Sequence, residues 1–199
     1  MGLLIKDSYM IKLKFPFDEE EIRKLKVGDM VLLNGKLLTG RDAVHKRLHE
    51  GINPPISLEN HIIYHCGPVV LKEKGKYEVK AAGPTTSIRE EPYEWQVMRD
   101  HKIRGVIGKG GMGQKTLDAC KEYGACYFHA IGGAAQVLAE TIKSVDNVYW
   151  EDLGSPEAIW ELTVEDFPVF VTMDSHGNSL HKDVSDQSGE ILKKLLSTK

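Results

Sequence analysis

The chain has 199 residues, 41% of them hydrophobic, a formal net charge of −3 and three cysteines. That length suits one domain with a real core, and the near-neutral balance excludes a general pull toward nucleic acid or an anionic membrane. An odd number of cysteines with no CxxC spacing argues against a disulfide framework and for a reducing compartment.

The leading MGLLIKDSYM has only a short apolar stretch before Lys6, which is no signal-peptide pattern. Lys6 also stands where a myristoylation signal wants Ser or Thr. The longest weakly polar stretch, AIGGAAQVLA, is too short to span a bilayer. These features lead to the expectation of a cytoplasmic protein with no membrane partner.

Residues 9–15, YMIKLKF, alternate apolar residues with lysine and read as a strand with one wet face. Asp18 opens a short helix, with Glu21 as its capping-box partner. VLLNGKLL reads as a hairpin turning at Asn34-Gly35. TGRDAVHKRLHEG reads as a helix with Val44 and Leu48 on one face and Gly51 at its end. HIIYHCG, VVLKEKGKYEVKAA and IRGVI read as three strands, with a hydroxyl loop and a helix over about 87–102 before the third.

From Val106 onward the pattern becomes strand, glycine turn, helix. IRGVI-GKGGMG-QKTLDACKEYG is one such unit and ACYFHAI-GG-AAQVLAETI another. Ser155-Pro156-Glu157 reads as a helix start with proline in its first position. PVFVTMD is the last strand, followed by DSHGN and a small helix, ILKKLL. Antiparallel strands followed by βα units predict a single mixed α/β domain over residues 1–199.

Two stretches carry candidate chemistry. GKGGMG follows a strand, precedes a helix and formally fits GxGxxG. A dinucleotide fold would also place an acidic residue about 20 positions on, at the end of the next strand. That strand ends in Ile131-Gly132-Gly133 without a carboxylate. A tight βα turn is the plain alternative. The reading that fits best is a small-anion site made by backbone amides at the helix start together with Lys109.

AAGPTTSIREE offers Thr85, Thr86, Ser87 and Arg89. One hydroxyl suffices to cap a helix, and an arginine in the first turn opposes the helix dipole unless it has an anion to hold. Arg41-Asp42 opens the helix carrying His45 and His49, whose HKRLH spacing lacks the glutamate of HExxH; locally bonded histidines are the simpler reading. Cys66, Cys120 and Cys126 match no cluster-binding pattern and read as structural. Arg41, Arg89 and Lys109 together suit a small di- or tricarboxylate. The residues alone name no reaction.

TGRDAVHKRL, AAGPTTSIR, VIGKGGMG, YFHAIGGAAQVLA, YWEDLGSPEAIW and DSHGN, in that order, resemble the β chain of two-subunit class I fumarate hydratases, a family that includes the tartrate dehydratase β chain. The resemblance runs from about Val27 to Asn178. It implies a swivelling β/β/α domain and a hydro-lyase that interconverts fumarate and malate in an αβ or α2β2 assembly. It implies an oxygen-sensitive [4Fe-4S] cluster held by three cysteines of a partner α subunit, with no metal on this chain. In single-chain members the matching segment is the C-terminal domain.

By the same resemblance, Arg41, Arg89 and Lys109, with Gly110 beside it, bind substrate carboxylates. Thr85 matches the residue proposed as catalytic base, and Asp42, Thr86 and Ser87 stand behind the site. The acid-side aspartate and the iron belong to the partner. Many members read GPTTSxRM, whereas Arg89 is followed here by Glu90-Glu91, two carboxylates placed to compete for it. HAIGGAAQ favours fumarate over tartrate, with mesaconate as a further substrate. A non-catalytic anion- or nucleotide-binding module is the alternative from another class.

Overall fold

The computed structural model describes residues 10–197. The leading segment with Lys6, and Tyr9 of the expected first strand, lie outside the described residues. Strand β1 (Ile11–Lys14) alternates half-buried and exposed positions, as its sequence implies. Helix α1 (Glu19–Lys24) starts from the capping box: Asp18 accepts from the Glu21 amide at 2.9 Å, and the Asp18 amide donates back to Glu21.

The Asn34-Gly35 hairpin does not form. Residues Met30–Thr39 are one strand, β2, running antiparallel to β9 (Ile159–Met173) on both sides of the dipeptide. The ladder slips between Leu33 and Gly35, and Gly35 takes φ 96°. Asn34 accepts from the Asp166 amide at 3.0 Å. The dipeptide is therefore a bulge, because a fifteen-residue partner strand outweighs the local turn preference. The hairpin signal that does work is Lys74-Gly75, both at positive φ, joining β4 (Val69–Glu73) to β5 (Lys76–Ala81).

The main sheet also contains β3 (Ile62–Tyr64), β6 (Gly105–Gly108), β7 (Cys126–His129) and β8 (Ile142–Tyr149). Its strand order is β1-β2-β3-β6-β7-β9-β8. Strands β2, β3, β6 and β7 are parallel neighbours, and β9 pairs antiparallel with both β2 and β7. Those five strands close on themselves. Neighbouring residues of one strand fall in different cores, as a period of two requires. Ile62, Tyr64, Ile107 and Phe128 pack with Leu33, Phe167 and Val169, beneath the β4–β5 hairpin and α1. Ile63, Val106 and Tyr127 pack instead against α2 (Asp42–His49), α3 (Glu94–His101) and α4 (Gln114–Tyr123).

The βα units are present as expected: β6–α4, then β7 with the short α5 (Ala135–Glu140). Three other expectations need correction. The helix over 87–102 is split into a 3₁₀ turn (Ser87–Glu90) and α3, with Pro92 between them; proline has no N–H to continue the ladder. Ser155-Pro156-Glu157 lies in a turn, and IWELTVEDF belongs to β9, where β2 and β8 satisfy its backbone from either side. The small terminal helix is an eighteen-residue helix, α6 (Leu180–Ser197).

DSHGN closes the turn between β9 and α6. The buried Asp174 carboxylate accepts from the amides of Val27, His176 and Asn178. It thereby ties the end of β9 to the segment entering β2. Among the described residues no helix is long and apolar enough to cross a membrane.

Candidate active site

Four parallel strands release their loops at one edge of the sheet, the usual place for a ligand in an α/β protein. Gly40–Asp42 follow β2, His65–Gly67 follow β3, Lys109–Gly113 follow β6 and Ala130–Gly133 follow β7. The hydroxyl loop after β5 is stitched onto this edge. The Thr85 amide and Oγ1 both donate to the His65 carbonyl, at 2.7 and 2.9 Å. The Lys109 amide donates to Thr85 O at 3.1 Å, and the Ser87 amide to Lys109 O at 3.0 Å. A side chain at Gly108 would overlap Ser87 Oγ, and one at Gly67 would sit 2.6 Å from Arg41 Nη1. Both glycines are fixed by this close approach.

The candidate residues share that edge. Arg41 is the N-cap residue of α2, but its side chain makes no cap. Its Nε is buried without a hydrogen-bond partner and lies 3.4 Å from Glu157, whose other oxygen accepts from the Ala43 amide at 3.0 Å. Asp42 pairs with Arg89, which remains 58% exposed. Lys109 is half-buried, its stem runs toward Gly132, and its ammonium has no partner among the described residues. Gly110 takes φ 82° and Thr86 is exposed, so both face the open side of the loop.

The three hydroxyls have three different tasks, and none caps a helix. Thr85 spends its only proton on a carbonyl, leaving the lone pairs of Oγ1 open. Ser87 is fully buried, with Oγ 2.9 Å from His65 Nδ1. Thr86 forms an isolated parallel bridge to Lys109.

The anion site expected at the start of α4 is already filled from within the chain. Glu91 accepts from the amides of Gly113 (2.7 Å), Lys115 (3.0 Å) and Thr116 (3.3 Å), and from Thr116 Oγ1 (2.6 Å). A nucleotide phosphate would have to displace this carboxylate, which removes the support for the GxGxxG reading. Glu91 therefore turns away from Arg89. Glu90 turns inward to a 1% exposed position, and burial pushes its carboxyl up to about 6 against the pull of His45. Neither forms a close ion pair with Arg89, although Glu90 still feels its charge; Asp42 takes that place.

His45 and His49 do not come together. His49 is exposed and meets Gln96, whereas His45 is fully buried. No sequence pattern marks the group that His45 joins. Its Nε2 lies 3.0 Å from Glu94 Oε2, and His65 Nε2 lies 3.1 Å from the same oxygen. All three side chains are fully buried. Against the cost of burial, Glu94 raises His45 to about 9, while burial lowers His65. The two histidines hold Glu94 down to about 2. A buried acid in the first turn of α3, facing two buried histidines from α2 and β3, has no linear signature.

The cysteines are buried apolar-core residues. Burial pushes Cys66 and Cys126 up to about 12 and Cys120 well above its usual value. The three thiols are divided between two cores, and among the described residues none joins a group of three or more potential metal ligands.

The sequence profile described as Fumarase C-terminus matches residues 5–184. A Geobacillus stearothermophilus protein assigned as a class I fumarate hydratase is 58% identical over 92% of this chain, which spans only 36% of that protein's length. A Methanocaldococcus jannaschii protein assigned as an L(+)-tartrate dehydratase β subunit is 42% identical over 89% of this chain and 94% of its own. The L(+)-tartrate dehydratase β subunit of Escherichia coli K12 is 38% identical over 83% of each chain. The chain belongs to the fumarase C-terminus family.

Proposed function

We propose that this chain is the β subunit of a two-subunit hydro-lyase, arranged as a swivelling domain, that adds water reversibly to fumarate. The observation that carries the reading is the gathering of Arg41, Arg89, Lys109, Gly110 and Thr85 on loops at one strand edge, in a chain of this family. Identity is higher to the fumarate hydratase relative, while the chain spans most of the tartrate dehydratase β subunits. Tartrate is therefore the second reading.

Removing a proton from the carbon beside a carboxylate drives negative charge onto that carboxylate. Fixed cations aimed at it stabilise the transition state more than the ground state. Arg41, whose buried Nε makes no hydrogen bond and only a 3.4 Å ion pair with Glu157, and Lys109 are placed for this role. Arg89 would exchange Asp42 for substrate. As base, Thr85 would act as the alkoxide: its own proton, held in the free chain on the His65 carbonyl, would first leave to solvent, the nearby cations would stabilise the oxyanion, and Oγ1 would then take the substrate proton. In this reading an iron-sulfur cluster belongs to the α subunit and would supply Lewis-acid chemistry there, since the three thiols of this chain are dispersed between two cores. The test is anaerobic reconstitution with the partner chain and comparison of fumarate, tartrate and mesaconate turnover. Fumarate turnover well above the other two supports the reading. Turnover of none of them rejects it.

A further inference from the structure

The buried polar groups behind the site form one continuous chain. The Tyr127 hydroxyl donates to Ser87 Oγ at 3.0 Å. Ser87 Oγ contacts His65 Nδ1, and His65 Nε2 faces Glu94. Glu94 faces His45 Nε2, and His45 Nδ1 lies 3.0 Å from the Arg41 carbonyl. Ser87, His45, His65, Glu94 and Tyr127 are all fully buried.

Donor and acceptor counting assigns the protons. An ionised Glu94 only accepts, so His65 carries its proton on Nε2; Nδ1 then accepts the Ser87 proton, and Ser87 Oγ accepts from Tyr127. His45 Nδ1 faces a carbonyl and its Nε2 a carboxylate, both of which only accept. His45 Nε2 lies 3.0 Å from Glu94 Oε2 but out of hydrogen-bond alignment, so this link is ionic: a His45 with two protons and a positive charge beside an ionised Glu94. Every ring nitrogen pointing at Glu94 is filled by a proton. Among the described residues these three are the group with the ligand types and spacing of a metal site, and a metal would have to displace the protons on both Nε2 atoms. The other charges around it are Glu90 from the 3₁₀ turn, with Arg89 and Glu157 beside Glu90.

We propose that His45, Glu94, His65, Ser87 and Tyr127 form a buried, proton-filled relay that holds the loops of Arg41, Thr85 and Lys109 in mutual register. They are positioning residues. His65 presents the carbonyl that fixes Thr85, and His45 grips the carbonyl of Arg41. What the three loops bind rests on the function proposed above, whereas the relay stands on its own contacts.

The test has two readouts. Imidazole nitrogen NMR on the chain alone is expected to show His45 doubly protonated at neutral pH and His65 protonated on Nε2. A neutral His45, or His65 protonated on Nδ1, overturns the relay. In the complex with the partner chain, Ser87→Ala removes one hydroxyl without changing the helix or sheet framework. It is expected to lower kcat by about tenfold, as a sub-ångström misplacement does, with a much smaller change in KM. Folded Ser87→Ala with unchanged kcat overturns the positioning role. A wild-type complex without hydro-lyase activity sinks the proposed function, and the NMR result then decides the relay by itself.

Discussion

Replacing Glu91 with alanine removes four hydrogen bonds at the start of α4. Gly113 and Lys115 are near enough to the surface for water to take their amides. Thr116 is fully buried, and its hydroxyl has no such substitute. Loss of a helix cap costs about 1–2 kcal/mol, and a stranded buried hydroxyl adds about 1 kcal/mol. The sum, about 2–3 kcal/mol, corresponds to a fall in Tm of about 4–12 °C for a chain of this size. Urea unfolding of the purified chain measures it directly. The vacated helix start should also recover an anion-binding site, so sulfate should stabilise Glu91→Ala more than wild type. A loss below about 0.5 kcal/mol, the range of an ordinary surface change, would refute the assignment of Glu91 as the cap of α4.

The His45–Glu94 pair makes stability depend on pH with a definite sign. A base raised from 6.5 to about 9 contributes fully below 6.5, and that contribution is lost as pH rises through 9. Glu94, lowered to about 2, contributes above 4.5 and loses its share on acidification; the lowered His65 also favours the folded state less in acid. The raised Cys66, Cys120 and Cys126 thiols and the Tyr127 phenol add to the alkaline fall, so the His45 share is the part that disappears in Glu94→Gln when unfolding is followed from pH 6 to 10. Thr85→Val keeps the shape of the side chain and removes its hydroxyl. It should depress kcat of the complex far more than substrate affinity, and a change confined to KM would assign Thr85 a binding role instead.

Much of this was legible in the sequence where the cause was local. The Asp18 capping box, the α2 helix and the β6–α4 unit depend on neighbours in the chain, and each formed as read. Asn34-Gly35 failed because β9, more than a hundred residues later, offered a ladder on both sides of it. The same competition turned the helix start at Ser155 into a turn leading to strand. At the site, the sequence singled out the loops of Arg41, Thr85–Arg89 and Lys109. It could not tell which of three adjacent hydroxyls would be buried, because that depends on Ser87 packing over Gly108. Glu90-Glu91 looked like a threat to Arg89. The fold instead sends one carboxylate inward and the other to α4. The His45–His65–Glu94 group joins three elements and needed the fold to be seen at all.

The central claim is that this chain supplies cations to a substrate carboxylate in a shared active site. Its most direct test is kcat/KM of the reconstituted complex with wild-type chain and with Arg89→Ala, on the preferred dicarboxylate. Arg89 is 58% exposed in the free chain; once partner chain and substrate cover it, loss of one side of the charge pair predicts a fall equivalent to about 2–5 kcal/mol of transition-state stabilisation. An unchanged kcat/KM in a folded, assembled Arg89→Ala complex would contradict the claim.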